Sequence, residues 1–286
     1  MSVKKYLDNL EDLSGKKIIV TGGTSGIGLS IVKELLIKGA DVVILARNQD
    51  KANKVKLEYE AQYQNRSIYI VQYDQSDDAS IITAVDEIIN KHSDFDSMIL
   101  NAGIFQKKKI TYVEDIPLTI KTNCVGLKVF LDNLLPKLKG EHRFIFQGSL
   151  AAGMHVKRVS SLKDKNLSGW QLYILSKSCV EAIFYHYTQL EQNQFSFYLV
   201  EPGIASTDII RDFPAFIRWA GKGVLKAFVH SVDKAALTAI KALQSTTPKN
   251  AYIVPRGLFT ISGYPKIKAF PKKRQRENLY DLLGQI

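Results

Sequence analysis

The stretch K-I-I-V-T-G-G-T-S-G-I-G, residues 17–28, joins a short apolar run to the start of a segment with helical periodicity. The run Lys17–Thr21 predicts a buried strand, and Gly26–Lys38 predicts the helix that follows it. Glycines in the turn between them let the main chain approach a pyrophosphate, whose charge a helix N-terminus favours. We therefore predict that this turn binds a dinucleotide and belongs to the first strand–helix unit of a parallel sheet.

Strand-like and helix-like segments alternate along most of the chain. The other candidate strands are Asp41–Ala46, Ile68–Tyr73, Met98–Asn101, Arg143–Gln147, Phe197–Val200 and Ala251–Val254. The other candidate helices are Gln49–Gln64, Asp77–His92, Val113–Leu138, Tyr173–Gln192 and Val232–Leu243. Most strands are continuously apolar, as strands buried on both faces should be. The pattern predicts an α/β fold, a Rossmann-type doubly wound parallel sheet of about seven strands in the order 3-2-1-4-5-6-7, with helices on both faces.

The domain organisation expected from this pattern is one domain over residues 1–263, with a lid-like stretch near residues 204–230. Residues 264–286 form a basic C-terminal extension. Six of the positive charges behind the net charge of +11 lie between Lys266 and Arg276. We expect a loose, solvated tail after about Gly263, with contact to an anionic membrane or to a neighbouring subunit as the alternatives. We do not expect nucleic-acid binding, since the remaining charge is dispersed.

Several other classes of protein are not favoured. No apolar run approaches the roughly 18 residues of a membrane span, and the N-terminus has no secretory apolar region. The two cysteines, Cys124 and Cys179, fall in predicted helices and suggest reduced, buried thiols in a cytoplasmic protein. The five histidines are scattered without ligand spacing, so we expect no metal site.

The end of the second predicted strand indicates which dinucleotide binds. It reads D-V-V-I-L-A-R-N and ends at Ala46, Arg47 and Asn48. An NAD-binding protein usually has a carboxylate here for the ribose hydroxyls, whereas the guanidinium of Arg47 could pair with a 2′-phosphate. This favours NADP (NADPH) over NAD. The alternative is a surface arginine that caps the next helix.

Further motifs follow in a recognisable order. They are Asp74 after the third strand, Asn101-Ala102-Gly103 after the fourth, Asn123, Ser149, the pair Tyr173 and Lys177 in Y-I-L-S-K, and Pro202-Gly203 after the sixth strand. With T-G-G-T-S-G-I-G at Thr21–Gly28, the chain resembles the short-chain dehydrogenase/reductase family from about Lys16 to Gly203. Thr207 falls where that family often places a hydroxyl near the nicotinamide carboxamide.

The resemblance implies a set of site residues. The catalytic residues would be Asn123, Ser149, Tyr173 and Lys177. The cofactor would contact Thr21, Gly22, Gly23, Thr24, Ser25, Gly26, Ile27, Gly28, Arg47, Asn48, Asp74, Asn101, Ala102, Gly103, Tyr173, Lys177, Pro202, Gly203 and Thr207.

The chemistry of the catalytic set agrees with this reading. Residues four apart on a helix share a face, so Lys177 can lie beside Tyr173. Its ammonium and the positive nicotinamide of the oxidised cofactor would lower a tyrosine pKa that is ordinarily near 10. Ser149 can hydrogen-bond the substrate oxygen. The resemblance implies that Asn123 would hold a water molecule that links Lys177 to solvent. In reduction, hydride goes to the carbonyl carbon and Tyr173 gives its proton to the oxygen.

The substrate-binding region departs from the common family pattern. Tyr173 follows Ser149 by 24 positions, about twice the usual gap, and such an insertion resembles the branch of retinol dehydrogenases and carbonyl reductases. His155 and Trp170 in this insertion could contact substrate or pack the loop. Phe213 and Phe216 belong to an apolar stretch after Gly203 that favours a hydrophobic ketone, aldehyde or secondary alcohol.

Two other functions stay open. A non-catalytic NADP-binding regulator could sense redox state with the same fold, although it would not need Tyr173 and Lys177 together. An epimerase or dehydratase of the extended branch could use the same residues, although that branch usually spaces its glycines differently. The resemblance also implies a homodimer or homotetramer formed through the helices that carry Asn123 and Tyr173.

Overall fold

The computed structural model describes residues 1–154, 161–190, 194–205 and 231–286. Its strands are β1 (Lys17–Thr21), β2 (Asp41–Ala46), β3 (Ile68–Gln72), β4 (Ser97–Leu100), β5 (Tyr112–Val113), β6 (Ile116–Pro117), β7 (His142–Gln147), β8 (Phe195–Val200), β9 (Tyr252–Pro255) and β10 (Pro265–Lys268). The predicted site residues His155, Thr207, Phe213 and Phe216 lie outside the described ranges, as does most of the lid-like stretch.

The helices fall mainly between the strands. They are α1 (Val3–Asp8), α2 (Gly26–Ile37), α3 (Gln49–Gln62), α4 (Asp78–Lys91), α5 (Leu118–Ile120), α6 (Gly126–Leu134), α7 (Gly169–Gln189), α8 (Val232–Ala242) and α9 (Glu277–Leu283). A π-helical turn at Lys121–Val125 joins α5 to α6, and short 3₁₀ turns occupy Leu135–Lys137, Leu150–Gly153, Leu258–Thr260 and Lys272–Arg274.

The main sheet confirms the predicted Rossmann-type architecture. In the described part of the chain it has eight strands in the order β10-β9-β8-β7-β4-β1-β2-β3. Every neighbouring pair is parallel except β9 with β10, which run antiparallel. The strand order reverses between β1 and β4, and this reversal opens a crevice at the carboxyl ends of the strands, where open α/β sheets bind ligands.

Two apolar cores cover the two faces of this sheet. Along β1, Ile19 packs into one core with α4, α6 and α7, whereas Ile18 and Val20 pack into the other with α2, α3 and α8. Successive residues of a strand point to opposite faces, so burial on both sides explains why the strands read as continuous apolar runs. Among the described residues, none of the helices combines the length and hydropathy needed to cross a bilayer.

The predicted helix Val113–Leu138 is wrong at its start. Its first residues form a two-stranded hairpin, β5 with β6, and helical structure begins only at Leu118. The turn residues Glu114 and Asp115 have φ of 50° and 63°. Two successive left-handed residues are what a tight two-residue hairpin turn requires. Glu-Asp is an unusual pair for such a turn, so the sequence did not reveal it.

The expectation of a loose tail after about Gly263 is also wrong. Residues Pro265–Lys268 add an eighth strand to the sheet, and Leu279 and Leu283 of α9 are buried in the core that contains α7. Strand β10 lies at the sheet edge, where its exposed lysines Lys266 and Lys268 oppose pairing with another chain. The positive charges of this segment thus surround an ordered element.

Candidate active site

A cleft of about 780 Å³ lies at the carboxyl ends of the central strands. It brings together most of the predicted cofactor residues, namely Gly22, Thr24, Ser25, Gly26, Ile27, Gly28, Arg47, Asn48, Asp74, Asn101, Ala102, Gly103, Tyr173, Lys177, Pro202 and Gly203. Ser149 and Trp170 also line it. The predicted residues Thr21, Gly23 and Asn123 lie behind its walls.

The glycine-rich turn has the backbone conformation that the sequence predicts. Gly22 and Gly26 have φ of 69° and 53°, in the left-handed region that favours glycine. A Cβ on Gly28 would lie 2.2 Å from the carbonyl oxygen of Gly22 and 2.5 Å from Nδ2 of Asn101. The side chain of Ser25 makes no capping hydrogen bond to the start of α2. The residues present therefore fit a pyrophosphate at this helix N-terminus.

Substitution of Gly28 by alanine is expected to weaken dinucleotide binding at least about tenfold, because the added methyl group forces the turn apart. The matched control is Gly153→Ala, where the nearest atom to an added Cβ is 4.0 Å away. Cofactor fluorescence titration of both purified variants measures the difference. Equal affinities in the two variants would contradict the placement of the pyrophosphate.

Thr21 and Gly23 shape the turn from behind. The Oγ1 atom of Thr21 accepts hydrogen bonds from the backbone nitrogens of Asn101 and Ala102, both at 2.9 Å. The amide of Asn101 donates in return to the carbonyl oxygen of Thr21 at 3.1 Å. A Cβ on Gly23 would lie 2.9 Å from a methyl group of Val32 in α2. These two residues join β1 to β4 and α2, and the structure gives them no direct place in the cleft.

The far end of the cleft carries two cations. The side chain of Arg47 is 70% exposed, and its Nη1 lies 3.9 Å from Oδ2 of Asp74. Asn48 caps α3 by accepting a hydrogen bond from the backbone nitrogen of Lys51 at 2.8 Å. Lys51 lines the cleft as well. The sequence alone did not predict a role for Lys51, although its position in the first turn of α3, just after β2, indicated that it could reach the cofactor.

Asp74 is oriented by the turn that follows β3. Its Oδ1 accepts hydrogen bonds from the backbone nitrogen and the hydroxyl of Ser76, at 2.9 Å and 2.6 Å. Its Oδ2 faces Arg47 across 3.9 Å. The carboxylate is therefore held at the cleft wall beside the arginine, where the family resemblance implies a contact with the cofactor.

Helix α7 places Tyr173 and Lys177 on the cleft. A capping box formed by Ser168 and Gln171 starts this helix at Gly169, earlier than predicted. Both functional side chains are buried. The ammonium of Lys177 donates to the backbone oxygen of Gln147 at 3.1 Å. Burial lowers the pKa of Lys177 from 10.5 to about 8.

Ser149 connects the cleft floor to Tyr173. Its Oγ accepts a hydrogen bond from the backbone nitrogen of Ala151 at 3.2 Å, so it caps the 3₁₀ turn Leu150–Gly153. Burial raises the pKa of Tyr173, and a side-chain hydrogen bond with Ser149 opposes that effect. Within the protein itself, burial of the phenol dominates and the pKa is raised. The lowering expected from the positive nicotinamide of the oxidised cofactor stays a prediction.

Asn123 lies within the π-helical turn, behind the loop that follows β4. Its Oδ1 accepts from the backbone nitrogen of Ile104 at 2.8 Å, and its Nδ2 donates to the backbone oxygen of Ile104 at 2.9 Å. A further bond runs from Nδ2 to Oγ of Ser176 at 3.0 Å. Asn123 therefore clamps this loop against α7. Its predicted link to a water stays a prediction.

Gln147 is a cleft residue that the sequence reasoning missed. It ends β7, is 5% exposed, and neither Oε1 nor Nε2 makes a hydrogen bond within the described ranges. A buried amide without partners costs about 1–3 kcal/mol. Such a group fits a ligand that presents both a donor and an acceptor. Its position, two residues before Ser149, was the available signal.

The wall near Tyr173 is aromatic and aliphatic. Trp170 stacks on Tyr173 with ring centroids 5.9 Å apart, and Phe105 meets the edge of Trp170 at 6.0 Å. Ile261 lines the same cleft, and its backbone oxygen accepts from the nitrogen of Ile204 at 2.9 Å. Leu150, Met154, Ile204 and Ala205 are among the further apolar residues that line the cleft. Trp170 thus lies on the predicted substrate wall, and Ile261 extends it from a distant part of the sequence.

Gly148, directly before Ser149, is a glycine for a packing reason. A Cβ on Gly148 would lie 3.1 Å from Cδ1 of Leu199 and 3.3 Å from the backbone oxygen of Val200. These distances are tighter than ordinary contacts, so the neighbouring strand favours glycine.

Within the described ranges, no group of three or more His, Cys, Asp or Glu side chains is arranged to hold a metal ion.

Comparison with known proteins agrees with this geometry. The model of the short chain dehydrogenase family matches residues 16–216. The chain belongs to this family. A short-chain dehydrogenase/reductase of Armillaria gallica is 30% identical over 260 residues, which cover 86% of this chain and 81% of that protein. Human retinol dehydrogenase 11 is 27% identical over 216 residues, covering 72% of this chain and 66% of its own length.

A solved structure of the short-chain dehydrogenase family supports the same assignment. The short chain dehydrogenase of Burkholderia cenocepacia, crystallised in complex with NADP, is 26% identical, with a TM-score of 0.61. The likeness covers 81% of this chain and 91% of that one. The protein is thus a short-chain dehydrogenase, an oxidoreductase with the Rossmann-type fold and a nicotinamide cofactor cleft. Ile261 and the C-terminal segment lie beyond the range that the family model matches.

Proposed function

We propose that this protein is an NADP(H)-dependent oxidoreductase that transfers hydride between the nicotinamide and a hydrophobic ketone, aldehyde or secondary alcohol. The observation that supports this proposal most strongly is the hydrogen-bonded pair Tyr173 and Ser149, which lies on a cleft that continues to the glycine-rich turn. Membership of the short-chain dehydrogenase family and the NADP complex of the Burkholderia cenocepacia protein support it.

The cofactor would be held by residues of three elements. The turn Gly22–Gly28 and the start of α2 would bind the pyrophosphate. Arg47 and Lys51 would pair with a 2′-phosphate, and β2 ends at Ala46 without a carboxylate that would repel it. Gln147 would lie near the nicotinamide end, beside Ser149. When bound, the nicotinamide supplies or accepts the hydride.

The protein's own residues manage the proton and the substrate oxygen. Because the pKa of Tyr173 is raised, its phenol is protonated at neutral pH and is ready to donate to a carbonyl oxygen. Ser149 orients that oxygen beside the phenol. Lys177, with a pKa of about 8, carries a positive charge that favours the phenolate left after donation.

The choice of NADP can be tested at Arg47. The Arg47→Ala variant is expected to lose about tenfold in NADPH affinity, because a charge-assisted contact to the phosphate disappears. Its affinity for NADH should stay unchanged. The control is Lys54→Ala, which removes an exposed cation of α3 that does not line the cleft. An unchanged ratio of the two affinities would remove Arg47 from the cofactor site.

The substrate class follows from the wall around Tyr173. Trp170, Met154, Ile204 and Ile261 give this part of the cleft an apolar surface. An apolar carbonyl compound can be buried there without leaving a charge unpaired.

We also propose that the protein works in the cytoplasm and forms a homodimer or homotetramer. Sedimentation of the purified protein measures its oligomeric state.

The decisive experiment is titration of the purified protein with NADPH and NADH, followed by turnover on a panel of hydrophobic ketones and aldehydes. NADPH binding with reduction of a panel member supports the proposal. Binding without turnover across the panel favours the alternative of a redox-sensing regulator. Failure to bind either dinucleotide overturns the assignment of the cleft.

A further inference from the structure

Arg274 brings a buried cation from the C-terminal segment to the back of the active site. Its side chain is only 7% exposed, although it belongs to a run of basic residues. The guanidinium donates from Nε to Oε2 of Glu181 at 2.8 Å and from Nη1 to the hydroxyl of Tyr252 at 2.8 Å. Its Nη2 contacts carboxylate oxygens of Glu181 and Glu201. The fork thus joins three separate elements.

The charges of this cluster make Arg274 essential to it. Glu181 and Glu201 are fully buried, and Tyr252 donates a hydrogen bond to Oε1 of Glu201 at 2.8 Å. Burial raises the pKa of Glu201 to about 7. Removing one partner of a buried ion pair leaves an uncompensated charge, which is strongly unfavourable. A single guanidinium therefore holds two acidic groups in the interior.

The two glutamates that contact Arg274 are close in the chain to residues that line the cleft. Glu181 lies one helical turn after Lys177 on α7, and Glu201 directly precedes Pro202-Gly203. The Nη2 atom of Arg274 also reaches the backbone oxygen of Ser149 at 3.5 Å. The cluster thus contacts the serine turn, the catalytic helix and the end of β8, although Arg274 itself does not line the cleft.

A second arginine extends the same attachment. Nη1 of Arg276 donates to Oγ of Ser178 on α7, and that hydroxyl also contacts the backbone oxygen of Ala152 at 3.4 Å. Ala152 belongs to the 3₁₀ turn that Ser149 caps. Helix α9 then anchors the segment through Leu279 and Leu283. The C-terminal segment is therefore fixed on both sides of its contacts with the active site.

We propose that Arg274 is a positioning residue for the active site. Its guanidinium fixes the turn that carries Ser149 and the end of β8 relative to Tyr173 and Lys177. The catalytic consequence rests on the proposed function, whereas the fixing of the backbone does not. Misplacement of a reacting group by about 1 Å can lower a rate about 100-fold. Loss of this arginine should therefore reduce turnover more than it reduces cofactor affinity.

The test uses the double variant R274Q/E181Q, which removes one positive and one negative charge from the cluster. We expect kcat to fall at least about tenfold, and by a larger factor than the NADPH dissociation constant rises, because the cluster contacts the turn that carries Ser149, whereas the pyrophosphate is assigned to the glycine-rich turn. Hydrogen exchange at the amides of Ala151 and Ala152 should accelerate about tenfold. Lys273→Gln is the control, since it removes an exposed charge from the same turn.

A second variant, Arg274→Lys, serves if the double variant does not fold. It keeps the charge but loses the planar fork, and we expect a smaller fall in kcat with faster exchange at Ala152. A folded variant at Arg274 with wild-type kcat and wild-type exchange would overturn the proposal. If wild-type protein shows no turnover, the proposed function fails, and exchange at Ala151 and Ala152 still decides whether Arg274 fixes the turn.

Discussion

Replacement of Tyr173 by phenylalanine is expected to lower kcat by about 10²- to 10⁴-fold, the range attributed to general acid–base catalysis. The variant keeps the ring that stacks on Trp170 and loses only the hydroxyl that bonds with Ser149. Because the glycine-rich turn is unaffected, NADPH affinity should change by less than about twofold. The effect should therefore appear in kcat and leave cofactor binding intact.

The measurement compares steady-state turnover and cofactor fluorescence for Tyr173→Phe and for Tyr185→Phe. Tyr185 is on the same helix and does not line the cleft, so its variant controls for loss of a tyrosine hydroxyl from α7. Full turnover by Tyr173→Phe would show that another group donates the proton. The geometry of Ser149 would then need a different chemical explanation.

Replacement of Lys177 by methionine is expected to lower kcat about 100-fold and to raise stability near neutral pH. Burial lowers the pKa of Lys177 from 10.5 to about 8. Between these values the unfolded chain binds more protons than the folded one, so wild-type stability rises with pH across this window. Below about pH 8 the full cost of burying the ammonium is present.

Methionine removes that cost while filling a similar volume. A shift from 10.5 to about 8 corresponds to about 3 kcal/mol, from which the lost hydrogen bond to Gln147 subtracts about 1 kcal/mol. Urea unfolding should show Lys177→Met more stable than wild type at pH 7, with the difference shrinking toward pH 10. The exposed Lys139→Met variant is the control. A less stable variant at pH 7 would mean that the ammonium has further favourable contacts.

The central strands were predictable because burial on both faces leaves a clear pattern. Strands β1 and β2 begin and end where the sequence predicts, and the glycine turn between β1 and α2 has the expected backbone angles. The order of motifs also placed Ser149, Tyr173 and Lys177 on one cleft. Local pattern and global fold agree here, which makes sequence reasoning reliable.

The errors occur where tertiary contacts override local pattern. The hairpin at Glu114 and Asp115 uses residues that rarely adopt positive φ in succession. Arg274 lies in a run that reads as solvated, yet it is buried because Glu181 and Glu201 are buried with it. A single sequence does not show that three distant charges meet. The sequence likewise does not show that the amide of Gln147 is buried without a hydrogen-bond partner among the described residues.

The position of Arg274 in the chain has a consequence for biosynthesis. Glu181 and Glu201 leave the ribosome well before the arginine that pairs with them. Until residue 274 emerges, packing of the nascent chain would bury two carboxylates without their cation, which is unfavourable. We expect the catalytic half of the nascent protein to stay incompletely folded at that stage, exposed to proteases and bound by chaperones. Translation of the segment that carries Arg274 would then complete the charged cluster and the active site together.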